Sequence, residues 1–234
     1  MVSSITLKNL IIGYRSKHQL RAIASPVHAS LQAGELTCLI GANGVGKSTL
    51  LRTLAGFQPA LDGEILIQDK SLSDFSAQEL AREISIVLTS KTDHAQLSAE
   101  EIVGIGRSPY TGFWGTLSAA DKQIVAAALQ EAGILHLAQR NISELSDGER
   151  QKVMIAKALA QQTRIIILDE PTAFLDFPSK IETLQMLRHL AHEQHKSILL
   201  STHDVELALQ LSDRFWLMEE SRFSIGTPKE LAAD

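Results

Sequence analysis

The sequence predicts an α/β fold, a parallel-sheet core interrupted by a helical insertion, from three observations. First, Arg164-Ile165-Ile166-Ile167-Leu168 is a short, continuously apolar run, the kind of strand buried on both faces of a parallel sheet. Second, apolar runs alternate with helix-patterned segments down the chain, as parallel strands joined by helices require. Third, the texture between about residues 92 and 161 turns to helix, while strands dominate before and after it. The chain has 234 residues, 44% of them hydrophobic and 21% charged, enough for one large domain with a sizeable core.

Residues 2–40 read as strand-rich. Ile5, Leu7 and Leu10 to Ile12 sit among polar positions, and Ala29-Ser30-Leu31 approaches a turn at Gln32-Ala33-Gly34-Glu35. A strand at Leu36-Thr37-Cys38-Leu39-Ile40 follows, then a helical stretch at Leu50–Leu54. Asp62-Gly63-Glu64 reads as a hairpin-type turn into Ile65-Leu66-Ile67, and Ile84–Leu88 as a further strand. In the insertion, Ser98 with Glu101 forms a capping-box pattern, and Ser118 or Asp121 starts a helix that Gly133 stops. Another helix runs from about Asp147 through Val153, Ile155, Ala156 and Leu159. After the 164–168 strand come a helix at about 178–194, a strand at 197–201, a helix at about 204–212 and a strand at 214–218. Thr227-Pro228-Lys229-Glu230-Leu231 closes as a short helix with proline in its first turn.

The most specific signal is Gly41-Ala42-Asn43-Gly44-Val45-Gly46-Lys47-Ser48-Thr49, a complete GxxxxGK[ST] loop between an apolar strand and a helix. Its glycines let the backbone curl so that successive N–H groups face an anion. The helix start adds positive potential, Lys47 reaches for the β- and γ-phosphates, and Ser48 offers a hydroxyl to Mg²⁺. The chain is therefore expected to bind a nucleoside triphosphate.

The 164–168 strand ends in Asp169-Glu170, where α/β folds place their ligands. Asp169 suits Mg²⁺ support and Glu170 suits polarising an attacking water. His203 follows the next apolar strand at the same predicted edge, within reach of a γ-phosphate or that water. His189, His192 and His195 are spaced i, i+3, i+6, which would suit a metal set, but an expected exposed helix end favours solvated side chains. Net charge is −5, which does not suggest a sequence-independent nucleic-acid binder. Cys38 is a lone cysteine in an apolar strand, so no internal disulfide forms and a reducing compartment is expected. No apolar stretch reaches the roughly 18–20 residues of a spanning helix, and residues 1–8 lack the layout of a signal peptide.

Leu145-Ser146-Asp147-Gly148-Glu149-Arg150-Gln151 opens a helix ahead of the Asp169 strand. Taken alone, Ser146 or Asp147 is an N-cap. With the loop, the acidic strand end and His203, it resembles the signature of the ATP-binding cassette (ABC) ATPases over nearly the whole chain. The resemblance implies one ABC ATP-binding domain over 1–234, with 1–91 and 162–234 as the nucleotide-binding core and about 92–161 as the helical lobe. It also implies the fold: a P-loop NTPase core with a parallel sheet, an antiparallel β subdomain and a helical insertion. Two ATP molecules are then sandwiched in a head-to-tail homodimer, with Ser146 and Gly148 contacting the γ-phosphate on the partner chain. Asp176 matches the loop that crosses that interface. Tyr14 matches the aromatic residue that stacks on adenine, with plain strand packing as its alternative.

Two departures stand out. The signature is usually LSGGQ, and Asp147 and Glu149 occupy its third and fifth positions here. The family's Mg²⁺-coordinating glutamine is replaced by Thr89, a candidate metal ligand whose shorter hydroxyl reaches Mg²⁺ through water or else points away, and Gln96 lies seven residues too late to substitute. Gly106–Gly115, aromatic and glycine-rich, reads as a packing corner or as the matching stretch of importer ATPases for ferric siderophores, haem and cobalamin. The importer resemblance implies a subunit at the cytoplasmic face of the membrane, bound to a dimer of an integral permease. A periplasmic or surface substrate-binding protein completes such a system, and nucleic acid has no place in it. The alternatives are a soluble ABC ATPase acting on nucleic acid or ribosomes and a weakly hydrolysing ATP-gated scaffold.

Overall fold

The computed structural model describes residues 3–15, 20–23, 26–88, 96–112, 114–220 and 222–231. The chain starts with β1 (Ser3–Ile11), β2 (Gly13–Arg15), β3 (Leu20–Ala22), β4 (Val27–Gln32) and β5 (Leu36–Ile40). Helix α1 (Lys47–Leu54) precedes β6 (Asp62–Ile67), β7 (Lys70–Ser71), α2 (Ala77–Glu83) and β8 (Ile84–Val87). Three helices follow: α3 (Ala99–Ile105), α4 (Ala119–Glu131) and α5 (Asp147–Ala160). The rest is β9 (Ile165–Asp169), α6 (Phe177–Gln194), β10 (Ser197–Ser201), α7 (Val205–Leu211), β11 (Arg214–Met218), β12 (Phe223–Gly226) and α8 (Pro228–Leu231).

Among the described residues the larger sheet runs β12-β11-β5-β10-β9-β8, parallel throughout except for β12. Both faces of this sheet are covered, and the alternation of side chains shows it. Leu36, Cys38, Ile166, Leu168, Ile198, Leu200 and Phe215 join the core shared with α3 to α7. Leu39, Ile165, Ile167, Leu199, Trp216 and Met218 join the core shared with α1 and the second sheet. A strand buried on both faces has no polar side to spare, which explains the unbroken apolar runs. The second sheet is antiparallel, in the order β4-β1-β6-β7. Helices α3, α4 and α5 pack on one another, and α5 also meets β8.

The Asp62–Glu64 expectation is corrected. These residues begin β6 and are not a turn. Gly63 sits at φ 85°, and a Cβ there would lie 2.3 Å from the Asn9 carbonyl oxygen, at a register shift between β1 and β6. Glycine is needed for close backbone approach at a bulge. The true two-residue turn is Gln68-Asp69, with φ of 48° and 68°, joining Ile67 to its partner Lys70. Both residues adopt positive φ without the Asn-Gly signal that betrays such turns.

The Gly106–Gly115 stretch is packed only in its first part: Gly106, Arg107 and Pro109 are buried, Gly112, Trp114 and Gly115 are exposed, and Phe113 lies outside the described residues. Arg107 is 5% exposed; it pairs with Asp121 at 2.9 Å and donates to Ala160 O at 2.8 Å. Its guanidinium lies 4.1 Å from the Tyr110 ring centroid. Arg82 and Gln78 of α2 donate to Pro109 O, which ties the corner to the sheet core.

Candidate functional site

Strand β5 delivers Gly41–Gly46 to the carboxyl edge of the sheet, between β10 and β11. Helix α1 begins on Gly46, at φ 116°, with no side-chain cap and no acidic residue in its first turn. A Cβ on Gly46 would stand 2.4 Å from Ile23 Cγ2, so the left-handed backbone and the tight wall both demand glycine. Lys47 is 6% exposed and donates from Nζ to Gly41 O at 2.7 Å and Ala42 O at 3.1 Å. An uncapped helix start with a lysine ammonium folded over it is a ready anion cradle.

Next to the cradle, the β9–β10 register pairs Asp169 with Ser201. Ser201 Oγ donates to Asp169 Oδ1 at 2.7 Å and accepts from Glu170 N at 2.9 Å. Glu170 has φ 47°, a left-handed conformation that costs a non-glycine residue roughly 1–2 kcal/mol. Strain of this kind gathers at functional sites, where the surroundings hold it. His203 Nδ1 lies 3.5 Å from Glu170 Oε2. Lys180 of α6 pairs with Asp204 at 3.0 Å and steadies the turn that carries His203.

Tyr14, the loop Gly41–Thr49, Glu170 and His203 line one cleft, with Ile23, Met218, Glu219 and Glu220 completing its wall. The Tyr14 hydroxyl is 3.0 Å from Thr49 Oγ1, yet its side chain stays half exposed. Asp169 is buried beneath Glu170 at 6% exposure. Ser201 has no role in the sequence reading, although a serine closing an apolar strand beside His203 was a usable signal. Ile23 and Met218 had none, because ordinary apolar residues become walls only once strands are placed.

Ser146, Gly148 and Asp176 do not line this cleft. Ser146 caps α5 in a full capping box: its N–H and hydroxyl each donate to Glu149 Oε2 at 2.8 Å, and its Oγ accepts from Glu149 N. Those bonds from Ser146 hold the Glu149 carboxyl below its ordinary range. Asp147 pairs with Arg150 at 3.1 Å. Asp176 caps α6 by accepting from Ser179 N at 3.2 Å, and Ser179 holds its carboxyl low as well. A Cβ on Gly148 would meet Leu175 Cδ2 at 3.5 Å, so the signature segment lies against the segment leading to Asp176. Thr89 lies outside the described residues. Among those described, no group of three or more His, Cys, Asp and Glu side chains could hold a metal ion. His192 instead pairs with Asp213 at 2.9 Å. Burial pushes the Cys38 thiol up to about 12, which leaves it unreactive.

A glycine-rich loop opening a helix, beside an acidic strand end on a parallel sheet, defines a phosphate-binding-loop NTPase. The family pattern described as ABC transporter matches residues 24–173, and the chain belongs to that family as an ATPase. An uncharacterized ABC transporter ATP-binding protein of Methanocaldococcus jannaschii is 38% identical over 96% of this chain and 76% of its own. The iron(3+)-hydroxamate import ATP-binding protein FhuC of Bacillus subtilis is 36% identical over 90% of this chain and 77% of its own. Among solved structures, a dimeric bacterial ABC transporter cassette superposes with a TM-score of 0.83 at 26% identity. That alignment covers 96% of this chain and 98% of the cassette. Among the described residues no helix is long and apolar enough to cross a membrane.

Proposed function

We propose that this ATPase energises uptake of an iron chelate (a siderophore or haem) or of cobalamin through a membrane permease. It works as a homodimer on the cytoplasmic face of the membrane, held there by the permease, with a separate binding protein delivering the substrate. The observation that carries the ATP half is the convergence of Lys47, Glu170 and His203 on one cleft around an uncapped helix start. The similarity to a hydroxamate import protein supports the choice of cargo.

Lys47 is assigned to the β- and γ-phosphates, with Gly41 to Thr49 binding the rest of the phosphate chain and Tyr14 the adenine. Glu170 orients the attacking water and accepts its proton, and His203, beside it, contacts the γ-phosphate or that water. Ser201 positions both carboxyl-bearing residues through its two hydrogen bonds. The Ser48 hydroxyl and the Asp169 carboxylate are hard oxygen donors of the kind Mg²⁺ takes, and they would hold that ion. When bound it would offset phosphate charge. Ser146 and Gly148 complete the site of a second copy, which accounts for their place outside this chain's own cleft, and Asp176 sits at that interface. A groove lined by Phe57, Leu80, Ile105, Pro109 and Lys157 lies between the sheet core and the helical region and suits a short permease helix.

The test is uptake of radiolabelled ferric siderophore, haem and cobalamin by cells lacking the gene, then carrying wild type or Glu170→Gln. Uptake of one of these compounds restored by wild type alone supports the reading. Unchanged uptake of all three in the deletion strain sinks the cargo assignment.

A further inference from the structure

In this chain the α5 N-terminus already holds an anion of its own. Glu149 Oε2 takes bonds from both the Ser146 N–H and the Ser146 hydroxyl at 2.8 Å. Arg150 of the same turn is taken up by Asp147, and Arg140 and His136 act on the Glu149 carboxyl through charge alone, less than the Ser146 bonds do. Glu149 is partly exposed, beside the exposed Ser146 and Asp147, so its charge is accessible to whatever approaches the signature segment. Capping boxes of the same kind open α2, α3 and α4, through Ser76–Glu79, Ser98–Glu101 and Ser118–Asp121. None of those boxes involves a residue assigned to ATP.

We infer that Glu149 competes with the γ-phosphate that a second copy of this chain presents to Ser146. Closing the ATP-bound dimer then requires the Ser146 hydroxyl to exchange a carboxylate oxygen for a phosphate oxygen. Two like charges approach as it does so. The competition raises the ATP concentration needed for dimer formation and makes closure sensitive to salt. This rests on the reading above that Ser146 and Gly148 meet the partner's ATP.

Glu149→Gln removes the charge and keeps a residue that still closes a capping box. The experiment adds it to Glu170→Gln, so that bound ATP persists, and follows dimer formation by sedimentation against ATP and sodium chloride. The expected result is an ATP midpoint about three- to tenfold lower, with a flatter salt dependence, from relief of one like-charge contact per site. Glu101→Gln, the same change at the start of α3, should leave the midpoint in place. A dimer with an unchanged midpoint in Glu149→Gln overturns the competition alone, as does an equal shift in Glu101→Gln. No ATP-dependent dimer in either the parent or the double variant overturns the two-copy reading, and the competition with it.

Discussion

Helices α1 and α5 both begin where the sequence places phosphate contacts, yet their first turns are built in opposite ways. Helix α1 starts on a left-handed glycine, with no cap, no acid and a buried lysine turned over its own loop. Helix α5 starts on a serine sealed by a carboxylate, with a second carboxylate beside it. The first turn of α1 is open to an anion at any time. That of α5 satisfies itself until something displaces Glu149. On the function proposed above, the difference separates a primary binding site from a conditional one, and it can be broken experimentally.

The largest effect is expected at Glu170, on the α1 side of the division. Glu170→Gln should bind ATP normally while turnover falls by roughly 10²- to 10⁴-fold, measured as steady-state phosphate release. Wild-type turnover in this variant would remove Glu170 from the chemistry. Lys47→Ala should weaken ATP binding to the monomer by about 100-fold, read by nucleotide titration, because a charge-assisted phosphate contact is lost. Ser146→Ala should leave that titration where it is; an equal loss there would abolish the distinction between the two helices.

The glycines sharpen the contrast. Gly46→Ala places a methyl 2.4 Å from Ile23 Cγ2 in a left-handed backbone, so thermal unfolding should show a loss of about 1–3 kcal/mol. Gly148→Ala meets only ordinary contact with Leu175 at 3.5 Å. As the second residue of α5 it should stabilise the monomer by up to about 0.5 kcal/mol, less than at a mid-helix site, while weakening ATP-driven dimers. Loss of monomer stability there would mean that the segment is packed as tightly as the α1 loop.

The smallest effect is a pH dependence. The Glu149 carboxyl titrates below its ordinary value of 4.5 in the folded chain, through bonds from Ser146. A lowered carboxyl contributes stability above the unfolded value and loses it as pH falls through the folded one. The melting temperature of Glu149→Gln should therefore fall less steeply than wild type below about pH 4.5. Parallel curves would show that the capping charge adds nothing to the fold.

Local chemistry was legible wherever a few neighbouring residues decide the outcome. The GxxxxGK[ST] loop and the Ser98 cap depend on backbone geometry within one turn, and the apolar strands are marked by their unbroken composition, so sequence alone determined them; between Ser118 and Asp121 the structure chose Ser118 as the cap. It failed at Asp62–Glu64, where a glycine serves a cross-strand approach to Asn9 and not a turn. It also passed over Gln68-Asp69, a turn imposed by strand pairing on residues with no preference for it. Ser201 shows what only the tertiary structure decided. Its bridge between Asp169 and Glu170 spans 32 and 31 residues of sequence and exists only because β9 and β10 pair in one register. The cleft likewise gathers Tyr14, Lys47, Glu170 and His203 from separate elements. Residue type and spacing say which groups can do phosphate chemistry. The burial of alternate side chains on the two faces of one parallel sheet sets the strand order and register, and these bring those groups within reach of one another.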